Sequence, residues 1–286
     1  MEPALKAEDL SYSYGDIKAV DGISFHVGPG EILGFLGPNG AGKSTTIKIL
    51  TGQLRPDTGS VTVLGRRMSM DDPELQGRIG VCFEEKNLYL NMTGRENLEF
   101  FGSLFGIRDP DAGGLLRKVD LAERADHRVS SYSKGMKQRL MMARALINDP
   151  DILFLDEPTD GLDPVSSRTL REIIRERAEN GAAVLLTTHD MWEADQLSHR
   201  VAFIADGVLH AVDTPETLKL KYGSRSVRIR LGSGDSVREE TVQLGTPGAA
   251  ERIGELAGSE ELLTIHTEEA TLEEIFVEIT GRGLGA

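Results

Sequence analysis

Residues 31–50 read Glu31-Ile-Leu-Gly-Phe-Leu36-Gly37-Pro-Asn39-Gly40-Ala41-Gly42-Lys43-Ser44-Thr45-Thr-Ile-Lys-Ile-Leu50. The apolar run Glu31–Leu36 has the length of a strand, and Thr45–Leu50 has helical spacing. The loop between them fits the pattern GxxxxGK[ST]. Glycines at this spacing let backbone N–H groups turn inward around phosphate oxygens, and the helix that follows aims its positive end at the same point. Lys43 then reaches the β- and γ-phosphates, and the Ser44 hydroxyl is a candidate Mg²⁺ ligand. Gly37, Asn39, Gly40, Ala41, Gly42 and Thr45 complete the candidate cradle. An ordinary glycine turn is the alternative; the strand before the loop and the helix after it favour nucleotide binding.

A phosphate loop of this kind needs a second, acidic strand end to hold the metal. The short apolar run Ile152-Leu-Phe-Leu155 ends in Asp156-Glu157. Asp156 is placed to hold Mg²⁺ through water, and Glu157 to orient or deprotonate the attacking water. Runs with strand and helix patterns alternate here: strand 152–155, helix 165–178, strand 183–187, helix 192–197, strand 201–204. That alternation predicts an α/β fold with a parallel sheet covered by helices. Runs 23–27 and 61–64 read as strands nearer the N-terminus. Residues 96–105 and 115–125 carry apolar residues at helical spacing, which marks a helical subdomain over about 87–135.

Between the loop and the acidic strand stands Tyr132-Ser133-Lys134-Gly135-Met136-Lys-Gln138-Arg139, leading into an apolar helix through Leu146. In this order the three elements resemble the nucleotide-binding subunit of an ABC transporter, over about residues 4–220. The resemblance implies a P-loop NTPase with an N-terminal antiparallel β subdomain, and ATP and Mg²⁺ as cofactors. It implies that Tyr14 stacks on adenine and that Ser133 and Gly135 bind the γ-phosphate of ATP held by the opposite subunit. Asp163, within Gly161-Leu-Asp-Pro164, would link the two sites. His189, within Thr187-Thr-His-Asp190, would contact the γ-phosphate and support Glu157, so that Lys43, Glu157 and His189 form the catalytic set.

As partners the resemblance implies a second ATP-binding subunit, in a homodimer closed around ATP, and a separate multi-span membrane permease. A monomer should bind ATP but hydrolyse it poorly. The place of action would be the cytoplasmic face of the cell membrane, with Asn87 to Arg95 as the candidate permease contact. The chain departs from the family pattern in places. Glu84 stands where a metal-contacting glutamine is usual, which makes it a third candidate metal ligand and predicts altered magnesium dependence or slower turnover. Lys134 replaces a glycine and Met136 a glutamine; this form, with the helix from Thr271 to Phe276, resembles the exporter branch with drug-efflux members.

Composition narrows the classes further. The chain has 286 residues, 39% apolar, with 32 glycines, enough for a sizeable core, and disorder throughout is excluded. Cys82 is the lone cysteine, which excludes a disulfide framework and cysteine-based zinc sites. With 32 basic and 46 acidic side chains the net charge is −14, so nucleic acid is not expected as the main partner. No run of 18 apolar residues and no basic-then-apolar leader is evident, which predicts a cytoplasmic protein. Two alternatives to a transporter subunit are a soluble ATPase acting on ribosomes or DNA and a non-hydrolysing clamp. The first usually has two cassettes, a long coiled coil or zinc cysteines; the second would not need Lys43, Asp156, Glu157 and His189 together.

The texture changes near Tyr222, which suggests an ATP-binding domain over 1–222 and a small α/β module over 223–286. Val227, Ile229 and Leu231 alternate with Arg228 and Arg230 as in an exposed strand, and Ser233–Ser236 reads as a turn. Thr271-Leu-Glu-Glu274 matches a capping box before an amphipathic helix. Lys219, Lys221, Arg225, Arg228 and Arg230 gather positive charge at the junction. A solvated strand face is the favoured reading of that cluster, ahead of a contact with lipid headgroups or a partner's loops.

Overall fold

The computed structural model describes residues 2–84, 87–223, 226–233, 236–268 and 270–281. Two compact units part in sequence between Asp213 and Thr214. In the first, β1 (Leu5–Tyr14) and β2 (Ile17–Val27) form a hairpin. β3 (Ile32–Leu36) follows and feeds the phosphate loop and α1 (Lys43–Leu50). β4 (Thr58–Val63) and β5 (Arg66–Arg67) complete an antiparallel sheet of order β2-β1-β4-β5. α2 (Pro73–Gln76) leads to β6 (Ile79–Cys82), and a helical stretch holds α3 (Gly94–Leu104), α4 (Ala112–Lys118) and α5 (Lys134–Ala145). Next come β7 (Ile152–Asp156), α6 (Pro164–Glu179), β8 (Ala183–Thr188), α7 (Met191–Leu197), β9 (Arg200–Ala205) and β10 (Val208–Asp213).

The core sheet has order β10-β9-β3-β8-β7-β6, parallel except for the edge strand β10. Phe154 packs into one apolar cluster with Phe35, Ile47 and Leu185, while its neighbours Leu153 and Leu155 pack into another with Leu140 and Ile174. A strand buried on both faces must be apolar at every position, which is why β7 reads as a continuous run. Each such buried side chain contributes about 1.5–3 kcal/mol. The strand order brings the carboxyl ends of β3, β7 and β8 side by side, where the phosphate loop and both acidic and histidine loops emerge.

One local expectation needs correction. The helix expected to run to Ala125 stops at Lys118, because Asp120 adopts φ 54, and Arg139 donates to the carbonyls of Val119 and Asp120 at 3.1 and 3.0 Å. Separately, in strand β1 Asp9 (φ 49) lies at a register shift, and the buried set passes from Leu5 and Ala7 to Leu10.

The second unit contains α8 (Pro215–Tyr222), β11 (Ser226–Ser233), β12 (Ser236–Gln243), α9 (Ala249–Ala257), β13 (Leu262–Glu268) and α10 (Leu272–Thr280). It begins at Thr214 rather than at 223, since α8 packs on α10. β11 is the central strand of β12-β11-β13, not an exposed one: Val227, Ile229 and Leu231 are buried in a cluster with Ala249 and Leu256. Arg228 pairs with Glu239 and Glu268 at 3.4 and 2.5 Å, and Arg230 reaches Glu239 at 3.8 Å. These two arginines are therefore paired with carboxylates of their own sheet. Arg225 and the middle of the Ser233–Ser236 turn lie outside the described residues. Thr271 and Glu274 form the expected capping box. Among the described residues no helix is long and apolar enough to cross a membrane.

Candidate nucleotide site

The phosphate loop is shaped by two glycines that admit no side chain. A Cβ on Gly37 would strike the carbonyl of Ile204, and one on Gly42 (φ 105) the carbonyl of Ala19. The Lys43 ammonium folds back to donate to the carbonyls of Gly37 and Pro38 at 2.6 and 3.3 Å, and only 6% of the residue is exposed. Asn39, Gly40, Gly42, Lys43, Ser44 and Thr45 line a cleft of about 350 Å³, with Glu84 and Glu157 on its wall. Gly37 and Ala41 shape the loop without lining the cleft; the Ala41 carbonyl accepts from Gly207 N–H at 3.0 Å.

Asp156 ends β7, nearly fully buried, and its Oδ1 accepts from the Thr187 hydroxyl at 2.5 Å. Ser44 and Glu84 face the cleft. Among the described residues no three His, Cys, Asp or Glu side chains gather round one point. These hard oxygen donors therefore fit Mg²⁺ when phosphate oxygens complete its shell, and do not form a closed protein cage.

Glu157 has φ 49, a left-handed conformation costly for a residue with a Cβ. The turn is held by its N–H, which donates to the Thr187 carbonyl and hydroxyl at 3.1 and 3.2 Å. It sets the Glu157 side chain between two partners. Oε1 lies 3.3 Å from Lys43 Nζ, a charge contact in which it accepts no hydrogen bond, and Oε2 lies 2.9 Å from His189 Nδ1. Lys43 and Glu157 line the cleft, and His189 reaches Glu157 from a second cavity that shares that carboxylate.

The residues assigned to the opposite subunit's nucleotide do not line this cleft. Ser133 caps α5, accepting from Met136 N–H at 3.2 Å. Asp163 caps α6 through Val165 N–H and Ser166 N–H at 3.1 and 3.0 Å, and the Ser166 hydroxyl holds its carboxyl below the usual range. Gly135 faces Leu162, and Lys134 pairs with Asp160 at 3.0 Å. Tyr14, 45% exposed, packs edge-on against Tyr12; Ala19, not Tyr14, lines the cleft. Sequence reasoning missed the hydroxyls of Thr187, Thr159 and Thr188, and missed Glu193. The one available signal was Glu193, an acid on the apolar stripe of α7.

Comparison with known proteins identifies the family. Residues 20–160 match the family model described as ABC transporter. A fluoroquinolones export ATP-binding protein of Mycobacterium tuberculosis is 47% identical, over 93% of this chain and 89% of that protein. Nod factor export ATP-binding protein I of Paraburkholderia xenovorans is 38% identical over 98% of each. The solved structure of an ATP-binding subunit of an ABC transporter superposes with TM-score 0.74 at 27% identity, over 97% of this chain and 99% of that one. A dimeric ATP-binding cassette in a post-hydrolysis state with ADP and Pi gives 0.67 at 28%, over 73% and 98%. By sequence and fold the chain belongs to the ABC transporter family: it is an ATP-binding subunit with an ABC ATPase domain, similar to subunits of export systems.

Proposed function

We propose that two copies of this chain close around ATP at the cytoplasmic face of a membrane and drive a separate multi-span permease outward. The observation that carries the residue assignment is the Lys43–Glu157–His189 contact at the wall of the phosphate cleft. The loop amides and Lys43 hold the β- and γ-phosphates. Glu157 accepts the proton of a water that attacks the γ-phosphorus; the bond to the β-phosphate oxygen breaks, and ADP and phosphate leave. His189 orients Glu157 and faces the γ-phosphate. Ser44, Asp156 and Glu84 would hold Mg²⁺, which when bound supplies neutralising charge to the phosphate oxygens.

Ser133 and Gly135, at the start of α5, would meet the γ-phosphate held by the second copy, Asp163 would join the two sites, and Tyr14 would stack on adenine. A phosphoryl group needs donors on all sides, so one subunit alone is an incomplete site. Asn87 to Arg95 borders a groove of about 560 Å³ lined by Phe83, Tyr89, Phe101, Phe105 and Arg144, and this is our candidate seat for the permease. Relatives this similar are named for cargoes as unlike as fluoroquinolones and Nod factor, which supports cargo choice by the permease rather than by this chain.

Purification of tagged chain from native membranes in mild detergent, with phosphate release measured on the product, tests the reading. Recovery of a multi-span protein together with ATPase activity is expected. Recovery of ribosomes or DNA-repair factors instead would replace it with the soluble-ATPase reading, and absence of phosphate release with the clamp reading. Tyr89→Asp should abolish recovery of the permease while ATP still binds.

A further inference from the structure

Glu193 lies on the buried stripe of α7 with Met191, Ala194 and Leu197, and it is 1% exposed. Its Oε2 accepts from the Thr159 hydroxyl at 2.6 Å, and the Thr188 hydroxyl stands 3.5 Å away. Thr159 belongs to the loop that carries Glu157 and Asp163; Thr188 immediately precedes His189. Asp190 closes the arrangement, for its N–H donates to the Thr188 hydroxyl and its Oδ1 accepts from Glu193 N–H, both at 3.0 Å. The charged groups facing Glu193 are Arg171 of α6, 3.8 Å from Oε1, with Asp190 at the head of α7 and Glu157 beyond β7. Oε1 itself accepts no hydrogen bond.

A carboxyl in this place is costly, and burial pushes it above the usual carboxylate range. An apolar side chain would continue the stripe without that cost, but would leave the Thr159 hydroxyl with no acceptor. We propose that Glu193 is a positioning residue that holds the loop of Glu157 and Asp163 and the loop of His189 in one register, so that displacement of the first is passed to the His189–Glu157 contact. This inference rests on the ATPase roles proposed for Glu157 and His189.

The test uses the full chain as wild type, Glu193→Ala and Glu193→Gln. Glutamine keeps an oxygen for the two hydroxyls; alanine does not. Steady-state phosphate release should show kcat lowered about 10- to 100-fold by alanine, with KM for ATP within about twofold, and within about threefold of wild type for glutamine. In histidine-labelled protein, the ring ¹⁵N signal that His189→Gln removes should move in Glu193→Ala and stay in Glu193→Gln. An alanine variant with unchanged kcat and an unmoved His189 signal overturns the proposal. So does equal loss in both variants with KM and kcat changing together, which would assign Glu193 to packing. If wild type releases no phosphate, the ATPase reading fails by itself, and the His189 signal still decides the role of Glu193.

Discussion

The ring Nδ1 of His189 lies 2.9 Å from Oε2 of Glu157, across the carboxyl ends of neighbouring strands β8 and β7. Two loops far apart in sequence thus meet through one contact, and the other Glu157 oxygen is left at the cleft wall beside Lys43. As the proposed base, Glu157 would act on water and add little to ATP binding. Glu157→Gln should lower single-turnover hydrolysis by about 10²- to 10⁴-fold while ATP affinity is kept. Size-exclusion chromatography with ATP should then show an accumulated dimer. A variant that hydrolyses within tenfold of wild type would remove Glu157 from the role of base.

Lys43 and Glu157 are a buried ion pair, 6% and 9% exposed at the side chain. Removing one member leaves the other charge buried, at a cost of about 3–5 kcal/mol. Lys43→Met should therefore lower the thermal midpoint and, if Lys43 holds phosphate as proposed, weaken ATP binding at least about tenfold through loss of a charge-assisted contact. Combining it with Glu157→Gln should restore much of the midpoint but none of the ATP affinity. Additive losses in the melts of the double variant would show that the two side chains are uncoupled.

Glu84 and Glu157 both line the phosphate cleft, so under the proposed reading two carboxylates would face the γ-phosphate. Like charges there oppose a developing negative charge, while a carboxylate binds Mg²⁺ more firmly than an amide does. Glu84→Gln is expected to raise kcat several-fold, on the order of 1 kcal/mol, and to raise the Mg²⁺ concentration giving half-maximal rate. Magnesium titrations of phosphate release on both proteins decide the matter; coincident curves would place Glu84 outside the reaction.

What could be read from sequence was what is local. The loop at 37–44 carries its chemistry in one contiguous stretch, and β7 is buried on both faces, so its apolar run and acidic end stand out. Ser133 and Asp163 are harder to interpret from residues alone, because each is satisfied as an ordinary helix cap in the single subunit. Where tertiary contacts decide, sequence fails: the helix near 118 is stopped by Asp120 and capped by Arg139, and the strand at Asp9 is shifted by a bulge. The pairing of Thr159 and Thr188 with Glu193 likewise depends on which strands are neighbours. Only the misplaced acid on the stripe of α7 announces it.

That buried acid makes the protein's stability depend on pH in a definite direction. The Glu193 carboxyl is raised chiefly by burial, against a smaller lowering by the Thr159 hydroxyl. The folded state therefore holds this proton more tightly than the unfolded chain, where a glutamate titrates near about 4.3. Its contribution is fully present below that value and is lost as pH rises through the folded value. Glutamine at this position does not titrate. The thermal midpoint of wild type minus that of Glu193→Gln should accordingly be greater at pH 5 than at pH 8. Asp163 supplies a control of opposite sign: its carboxyl is lowered by Ser166, so its contribution is present above about 3.9 and lost as pH falls further. Wild type minus Asp163→Asn should thus shrink only in the acid range. Melts across pH 3.5 to 8 separate the two cases, and a Glu193 difference that is flat with pH would mean that this carboxyl titrates as it does in the unfolded chain.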